Sequence, residues 1–391
     1  MAENAFHEQA VLPRGFRCAS RNCGLKRDGP DLSLFVSDVD ATAAAIFTRN
    51  QFPGAPILLG REIIRAGRLR AIAANSKVSN VANGHLGLEH ARRMAAAAAA
   101  EIGCSPDRVL VSSTGVIGVP LPIEKIENGL RGMAALLQDD PRPGAAGIMT
   151  TDSRPKTLSM SLGDVTISWV AKGAGMIEPN MATMLVYIFT DARLDAPTLD
   201  SMLRSAAHVS FNMLSIDTDT STSDTCAILA NGLAGPVDHE DFLDALTRGC
   251  ITMAEMIARD GEGATKLLRV TVRQAASELD ARTVAKSLVN SPLIKTMAFG
   301  ADPNVGRILM AIGKCFSARV IPDATDTAIN GIDVLRNGMR TPFDEAALRH
   351  SLRDDPVEIS VSLAAGTASA TAFGCDLTEG YISENAAYYS S

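Results

Sequence analysis

Aromatic side chains are scarce in this chain: Phe, Tyr and Trp make up 4% of its 391 residues, with a single Trp. So few flat rings leave little for stacking nucleobases, which weighs against a single-strand nucleic-acid binder. Charge points the same way, because the formal net charge is −7 and no Lys/Arg-rich run occurs. The electrostatic footprint of a nucleic-acid-binding surface is therefore missing. No stretch approaches the ~18 apolar residues that a membrane-crossing helix needs. The most apolar segment, Met94–Ala100, is Ala-rich and flanked by charges. The start, MAENAFHEQAVLPRGF, lacks the basic head and apolar core of a secretory signal, so a cytoplasmic location is expected.

Cysteine is present but badly placed for disulfide or zinc chemistry. The seven residues (Cys18, Cys23, Cys104, Cys226, Cys250, Cys315, Cys375) are odd in number and widely spread, and Cys18 and Cys23 are too far apart for C-x-x-C. Reduced thiols are expected. The six histidines are scattered, and none is set at metal-ligand spacing. Two motifs fail on inspection. Gly261–Lys266 (GEGATK) lacks the spacing of a phosphate-binding loop. Asp217, Asp219 and Ser221 resemble the start of a calcium loop, but Thr222 stands where Gly is needed and Ile228 where the bidentate Glu belongs. No metal and no cofactor are expected.

What is there is an ordinary globular composition, 46% hydrophobic and 21% charged. At ~150 residues per domain the length suggests two or three domains, or one large core with two lobes. Strands are expected at Leu32–Ser37, Ala41–Phe47, Leu69–Asn75, Val109–Ser113, Asp164–Ala171 and Leu267–Arg273. Met184–Thr190 (MLVYIFT) is an uninterrupted apolar run, the pattern of a strand buried on both faces. Leu86–Ile102 should be a helix stopped by Gly103, and Asp195–His208 a helix with Asp195 as N-cap. Further helices are expected near Ile123–Leu136, Phe242–Ile257 and Asn304–Cys315, with Gln138–Ala146 a loop. Val357–Leu363 and Thr367–Gly374, joined through Ala-Ala-Gly, read as a hairpin. Strands and helices mix throughout, so the class is α/β (α+β).

The junction before the buried run carries the chemistry. Lys172–Met181 (KGAGMIEPNM) holds two Gly and one Pro and cannot be regular structure. Glycine tolerates backbone geometry that brings chain against chain. A hydroxyl at the start of a rigid strand, Thr183, can then attack the Ala182 carbonyl if the loop strains that peptide. An N-to-O acyl shift and hydrolysis leave Thr183 at a new N-terminus. Its α-amine, with an ordinary pKa of about 7.7–8.0, can serve as base for its own hydroxyl. Read from residues alone, Thr183 is far more simply a β-branched residue starting a strand.

The segment KGAGMIEPNMATM (172–184) closely resembles the hallmark of the ornithine acetyltransferase (glutamate N-acetyltransferase) family, K-G-x-G-M-x-x-P-x-M-A-T-M, whose members are cleaved between Ala and Thr. The resemblance extends in order through FTRNQFPGAP (47–56), STGVIG (113–118), IMTTDSRPK (148–156), DTSTSDT (219–225), DGEGATK (260–266), NSPLIKT (290–296), DPNVGRI (302–308) and GCDLTEGY (374–381). It implies a layered α/β sandwich of the N-terminal-nucleophile-like type. It also implies self-cleavage into an α chain, 1–182, and a β chain, 183–391, assembled as an α2β2 heterotetramer. Thr183 would be nucleophile and acetyl carrier, and Thr114 and Gly115 the oxyanion hole. Thr151, Lys172, Glu262, Asn385 and Ser390, with Thr183, would bind substrate; at Ser390 the family usually has Thr. The implied reaction is ping-pong: N-acetylornithine acylates Thr183, ornithine leaves, and glutamate takes the acetyl group. Acetyl-CoA is an alternative acyl donor for some members. A different class, an N-terminal-threonine amidohydrolase or aminopeptidase, would use water as acceptor.

The match departs at definite places. Asn75–Asn80 reads NSKVSN, with Lys77 and Val78 in place of Gly and Asn, and Val305 replaces a Trp. SIDTDTSTSDT (215–225) and CDLTEGY (375–381) resemble the subgroup found in clavam antibiotic clusters, so the pathway is open between arginine biosynthesis and secondary metabolism.

Overall fold

The computed structural model describes residues 5–178 and 184–386. They form two compact units: residues 1–173, 179–212 and 220–253 in the first, and 174–178, 213–219 and 254–391 in the second, counting described residues only. Each unit is a sheet with helices, as the mixed α/β class requires. The expected division at 182/183 concerns a covalent bond rather than packing, and that junction lies outside the described residues.

The sheet of the first unit contains β1 (Phe16–Arg21), β2 (Leu32–Phe47), β3 (Arg68–Asn75), β4 (Val109–Ser113), β5 (Lys156–Leu162), β6 (Val165–Lys172), β7 (Leu185–Arg193) and β8 (Thr225–Pro236). Its order is β4-β3-β2-β8-β7-β6-β5, with β1 added to β2. The two expected runs around residues 32–47 are one 16-residue strand. Its pairing with β3 shifts register between Val36 and Ala41, and the bulge places Asp38, Val39 and Asp40 in solvent. One half of β2 carries β1, and Thr42–Phe47 carries β8.

β7 is buried along its whole length except Arg193, as its apolar run predicts. Leu185, Tyr187 and Phe189 join a core with Leu34, Phe35 and the Ala-rich helix Gly84–Ile102. Four aromatics meet here: Phe16 and Phe35 lie 5.2 and 5.4 Å from Phe189, and Phe35 lies 5.4 Å from Tyr187. Val186 and Ile188 are buried on the opposite face. Behind β6 the helix His239–Arg259 comes so close that a Cβ on Gly249 would overlap Trp169.

Local signals hold at the helix ends. Gly103 caps Gly84–Ile102 at φ 69°, and Asp195 accepts the Thr198 amide at 3.0 Å before the helix Ala196–Val209. Two expectations fail. The helix from Ile123 ends at Leu130, because Gly132 turns the chain at φ 77° before a short 3₁₀ turn, Met133–Leu136. Within the expected loop lies a helix, Arg142–Ile148, packed on β1 and β2. Its Pro sits in the first turn, where no amide is needed. Its Gly144 and Gly147 are not breakers: a Cβ there would overlap Phe35 and Ser33.

The second unit's sheet contains β9 (Leu267–Ala275), β10 (Asp326–Ile329), β11 (Ile332–Arg336), β12 (Met339–Arg340), β13 (Val357–Ser362) and β14 (Ala368–Cys375), ordered β12-β11-β10-β13-β9-β14. The expected hairpin of β13 and β14 does not form. β9 lies between them, parallel to β13 and antiparallel to β14. The connector instead caps β9, with the amides of Ala365 and Gly366 donating to the Gln274 carbonyl at 2.8 and 3.0 Å. An apolar strand with two open edges buries more by pairing on both. Among the described residues no helix is long and apolar enough to cross a membrane.

Candidate functional site

In the first unit the sheet delivers Lys172 to the start of β7. Lys172 pairs with Leu185, and Leu185 pairs on its other side with Thr225 of β8. The Thr225 amide donates to the Met184 carbonyl at 3.0 Å. Met184 follows Thr183 in sequence, so the expected nucleophile is covalently next to a strand end flanked by Lys172 and the Asp224–Thr225 pair. Lys172 is 9% exposed.

Two carboxyls feel that ammonium. Asp152 is buried and accepts from Lys156 Nζ at 2.6 Å, the Gly173 amide at 2.7 Å and the Thr150 amide at 3.0 Å. Burial pushes this carboxyl up, but Lys156 and Lys172 with the hydrogen bonds outweigh it and hold it below the usual carboxylate value. Asp224 is also buried, yet its desolvation wins over Ser221, Lys172 and Thr48, and its carboxyl is raised well above the ordinary value. A third cation, Lys26, donates to the carbonyls of Met149 at 2.7 Å and Pro30 at 3.1 Å. Burial lowers its pKa, Asp31 and Asp152 oppose that, and Lys172 and Lys77 reinforce it. Lys26, Lys77, Lys156 and Lys172 thus act on this neighbourhood together with Asp31, Asp152 and Asp224.

Lys77 connects this region to the turn after β4. The Ser113 hydroxyl donates to Asn75 Oδ1 at 2.6 Å, and the amides of Thr114 and Val116 donate to the carbonyls of Asn75 and Lys77 at 3.0 and 2.9 Å. Those bonds pass over the Gly115 amide. Gly115 has φ 125°, and a Cβ there would overlap the Lys77 backbone, so no other residue fits. Lys77 itself sits at φ 78°, in the left-handed region that suits the Gly it replaces. The buried Tyr187 hydroxyl of β7 lies beside Ser112 without meeting hydrogen-bond geometry, so β4 approaches β7 across the core.

The second unit takes over at Ala174. The Glu262 amide donates to the Ala174 carbonyl at 2.8 Å, and a Cβ on Gly175 would overlap the Glu262 carboxyl. Asp217 accepts the amides of Met176 at 2.6 Å and Ile177 at 2.7 Å. Asn385 donates to Glu262 Oε2 at 2.7 Å and to the Tyr381 carbonyl at 3.0 Å. Burial, then Asp217 and Glu262, push the Tyr381 hydroxyl up. Burial and then Asp217 and Glu178 raise Asp219. This set is acidic, where the first is basic.

The structure thus groups Thr151, Lys172, Thr114 and Gly115 in the first unit, and Glu262 with Asn385 in the second. Ala182, Thr183 and Ser390 lie outside the described residues. Sequence reasoning missed Asp152, Lys156, Asp224 and Lys26. Only the i,i+4 spacing of Asp152 and Lys156 inside IMTTDSRPK was a usable signal, and a loop sequence gave no reason to apply it. All seven cysteines are free, and burial pushes the Cys18 and Cys250 thiols up to about 12. Among the described residues no group of three His, Cys, Asp or Glu is set to hold a metal ion.

Comparison with known proteins adds a family. The ArgJ family model matches residues 17–390. The chain is 44% identical over 382 residues to the arginine biosynthesis bifunctional protein ArgJ of Rhodococcoides fascians, covering 97% of this chain and 95% of that one. It is 42% identical over 383 residues to glutamate N-acetyltransferase Oat2 of Streptomyces clavuligerus, covering 96% and 98%. A crystal structure of the arginine biosynthesis bifunctional protein argJ of Bacillus halodurans matches with a TM-score of 0.51 at 41% identity, covering 53% of this chain and 100% of that one.

Proposed function

The chain belongs to the ArgJ family, and from that premise we propose that it is a self-cleaving N-acetyltransferase moving acetyl from N2-acetylornithine to glutamate through an acyl-threonine. Maturation begins when Thr183 Oγ attacks the Ala182 carbonyl carbon. The C–N bond breaks, the amine takes a proton, and water hydrolyses the resulting ester. The products are residues 1–182, ending in a carboxylate, and residues 183–391, beginning with a free amine. The second product would make up 53% of the chain, which is the share matched by the whole of the Bacillus halodurans chain. That equality of length supports the cleavage.

In transfer, the Thr183 amine accepts the hydroxyl proton as Oγ attacks the acetyl carbonyl. The oxyanion takes hydrogen bonds from the Thr114 hydroxyl and the Gly115 amide, the kind of preorganised donor that dominates acyl transfer. Collapse breaks the C–N bond, and the proton goes to the departing ornithine amine. Glutamate's amine then attacks the acetyl ester, and Thr183 recovers its proton. Lys172 binds the substrate α-carboxylate with Thr151 beside it, and Glu262 with Asn385 and Ser390 receives the cationic end. The single observation that carries this reading is the buried Lys172, which pairs with Leu185 at the start of β7. One amide is exchanged for another, so the reaction is nearly balanced in energy and the reading invokes no metal or cofactor. Acetyl-CoA is an alternative donor. The working enzyme is an α2β2 heterotetramer in the cytoplasm, and the pathway is arginine biosynthesis or a secondary-metabolism counterpart.

The test is mass spectrometry with a labelled-acetyl assay. Wild-type protein should give two fragments, the second beginning at Thr183. Thr183→Ala should stay at 41.2 kDa and transfer nothing. A Thr183→Ala protein that still splits or transfers overturns the mechanism. Free acetate as the main wild-type product replaces it with the hydrolase.

A further inference from the structure

Asp152 is given no role in the chemistry above, yet it is a buried carboxylate that bonds both a buried lysine and the backbone on either side of the candidate site. Its two oxygens take three donors from three places in the chain: Lys156 Nζ at 2.6 Å, the Gly173 amide at 2.7 Å and the Thr150 amide at 3.0 Å. Both side chains of the Asp152–Lys156 pair are 0% exposed. Thr150 precedes Thr151, and Gly173 follows Lys172. The carboxylate therefore ties together the backbone next to both groups assigned to the substrate's α-carboxylate.

Other arrangements would have held the fold more simply. A buried ion pair is weak evidence for stability, since well-packed apolar residues often serve as well. What an apolar pair cannot do is accept two backbone amides. Gly173 follows the last residue of β6, so its amide direction sets how the chain leaves the strand and where Lys172 ends. Asp152 also sets the charge. It hydrogen-bonds Lys156 and meets the Lys172 ammonium through charge alone.

We infer that Asp152, held by Lys156, is a positioning residue for α-carboxylate recognition: it clamps the Thr150–Thr151 turn to Gly173 and so fixes Thr151 and Lys172 as one receptor. The inference rests on the assignment of Lys172 above.

The experiment measures steady-state kinetics, cleavage by mass and thermal unfolding for D152N, the uncharged pair D152N/K156Q, and K172A. Donor and acceptor are each supplied with a free α-carboxylate and as the α-carboxamide. Loosening a receptor by ~1 Å can cost about 10²-fold. D152N should therefore raise KM for the carboxylate forms about tenfold or more, with kcat changed by less than about threefold. It should leave KM for the carboxamides where it was, because those lack the group the clamp serves. Should D152N fail to fold, D152N/K156Q decides, since it leaves no unpaired buried charge. A folded variant whose KM is unchanged, or rises equally for carboxylate and carboxamide, overturns the positioning role and leaves Asp152 structural. K172A separates the two failures. If K172A itself does not raise KM for the carboxylate forms, the assignment of Lys172 falls first, and the inference about Asp152 falls with it.

Discussion

The candidate residues of the first unit and those of the second are built on opposite physical plans. In the first unit the Asp152–Lys156 pair is fully buried, and Lys172 is nearly so. In the second, Glu262 is half-buried and its partner Asn385 is exposed. Charges away from water interact at low effective dielectric and escape salt screening, whereas exposed ones do not. Under the proposed function, the first set would read the α-carboxylate that every amino-acid substrate shares. Under the same proposal, the second set, more open to water and salt, would meet the end where substrates differ. The backbone repeats the contrast: Gly115 admits no side chain against Lys77, while Asn385 closes a short terminal helix, Glu379–Asn385, with no buried residue.

Substitutions can break this comparison. The largest effect is expected for Lys156→Met, which leaves Asp152 buried without its ammonium. It should cost about 3–5 kcal/mol of folding stability, read from urea unfolding; a loss near zero would remove the rigid half of the contrast. Gly115→Ala keeps the amide but drives a Cβ into the Lys77 backbone and displaces it, and should lower kcat by about 10²–10³, as for loss of one oxyanion donor, measured on protein shown by circular dichroism to be folded. Lys172→Ala should weaken amino-acid substrates by about 1.5–3 kcal/mol, the range for hydrogen bonds to charged groups. Asn385→Ala should cost only about 0.5–1.5 kcal/mol, with a stronger dependence on added salt in the surviving Glu262 contact. Equal penalties at Lys172 and Asn385 would erase the distinction.

Acidity sharpens it further. Asp152 is held below the ordinary carboxylate value, so its contribution to stability is present above that value and lost as pH falls through the lowered one. Asp224 runs the other way. Its raised carboxyl binds a proton more tightly in the folded protein, so stability falls as pH rises above 3.8 towards the raised value. Asp224→Asn should therefore gain on the wild type as pH rises through that window, in unfolding curves taken at several pH values. A constant gap would mean the buried carboxyl is not protonated.

Much of the fold was legible where one short-range rule sufficed. β4 and the buried run of β7 follow from apolar content, and the ends at Gly103 and Asp195 from capping chemistry. The failures share a cause. Arg142–Ile148 looked like a loop because Pro and Gly usually break structure, but here they answer to Phe35 and Ser33, more than a hundred residues earlier. β13 and β14 looked like a hairpin because nearness in sequence is visible and the insertion of β9 is not. The site divided likewise. Thr114, Gly115, Thr151, Lys172, Glu262 and Asn385 stood out through motifs, whereas Asp152 and Asp224 mattered only once burial and neighbours were known.

Sequence alone determined the glycine-rich approach to Ala182–Thr183, the apolar strand that follows and the family to which the chain belongs. Those depend on residue identity and on contacts a few positions apart. Tertiary structure alone decided that Lys172 is buried across the sheet from the Asp224–Thr225 edge and that Asp152 spends its charge on Lys156. It also decided that Asp217, Asp219 and Glu262 act together on Tyr381 in the second unit. Electrostatics in a folded chain depends on distance and dielectric, and neither is written in the order of the residues.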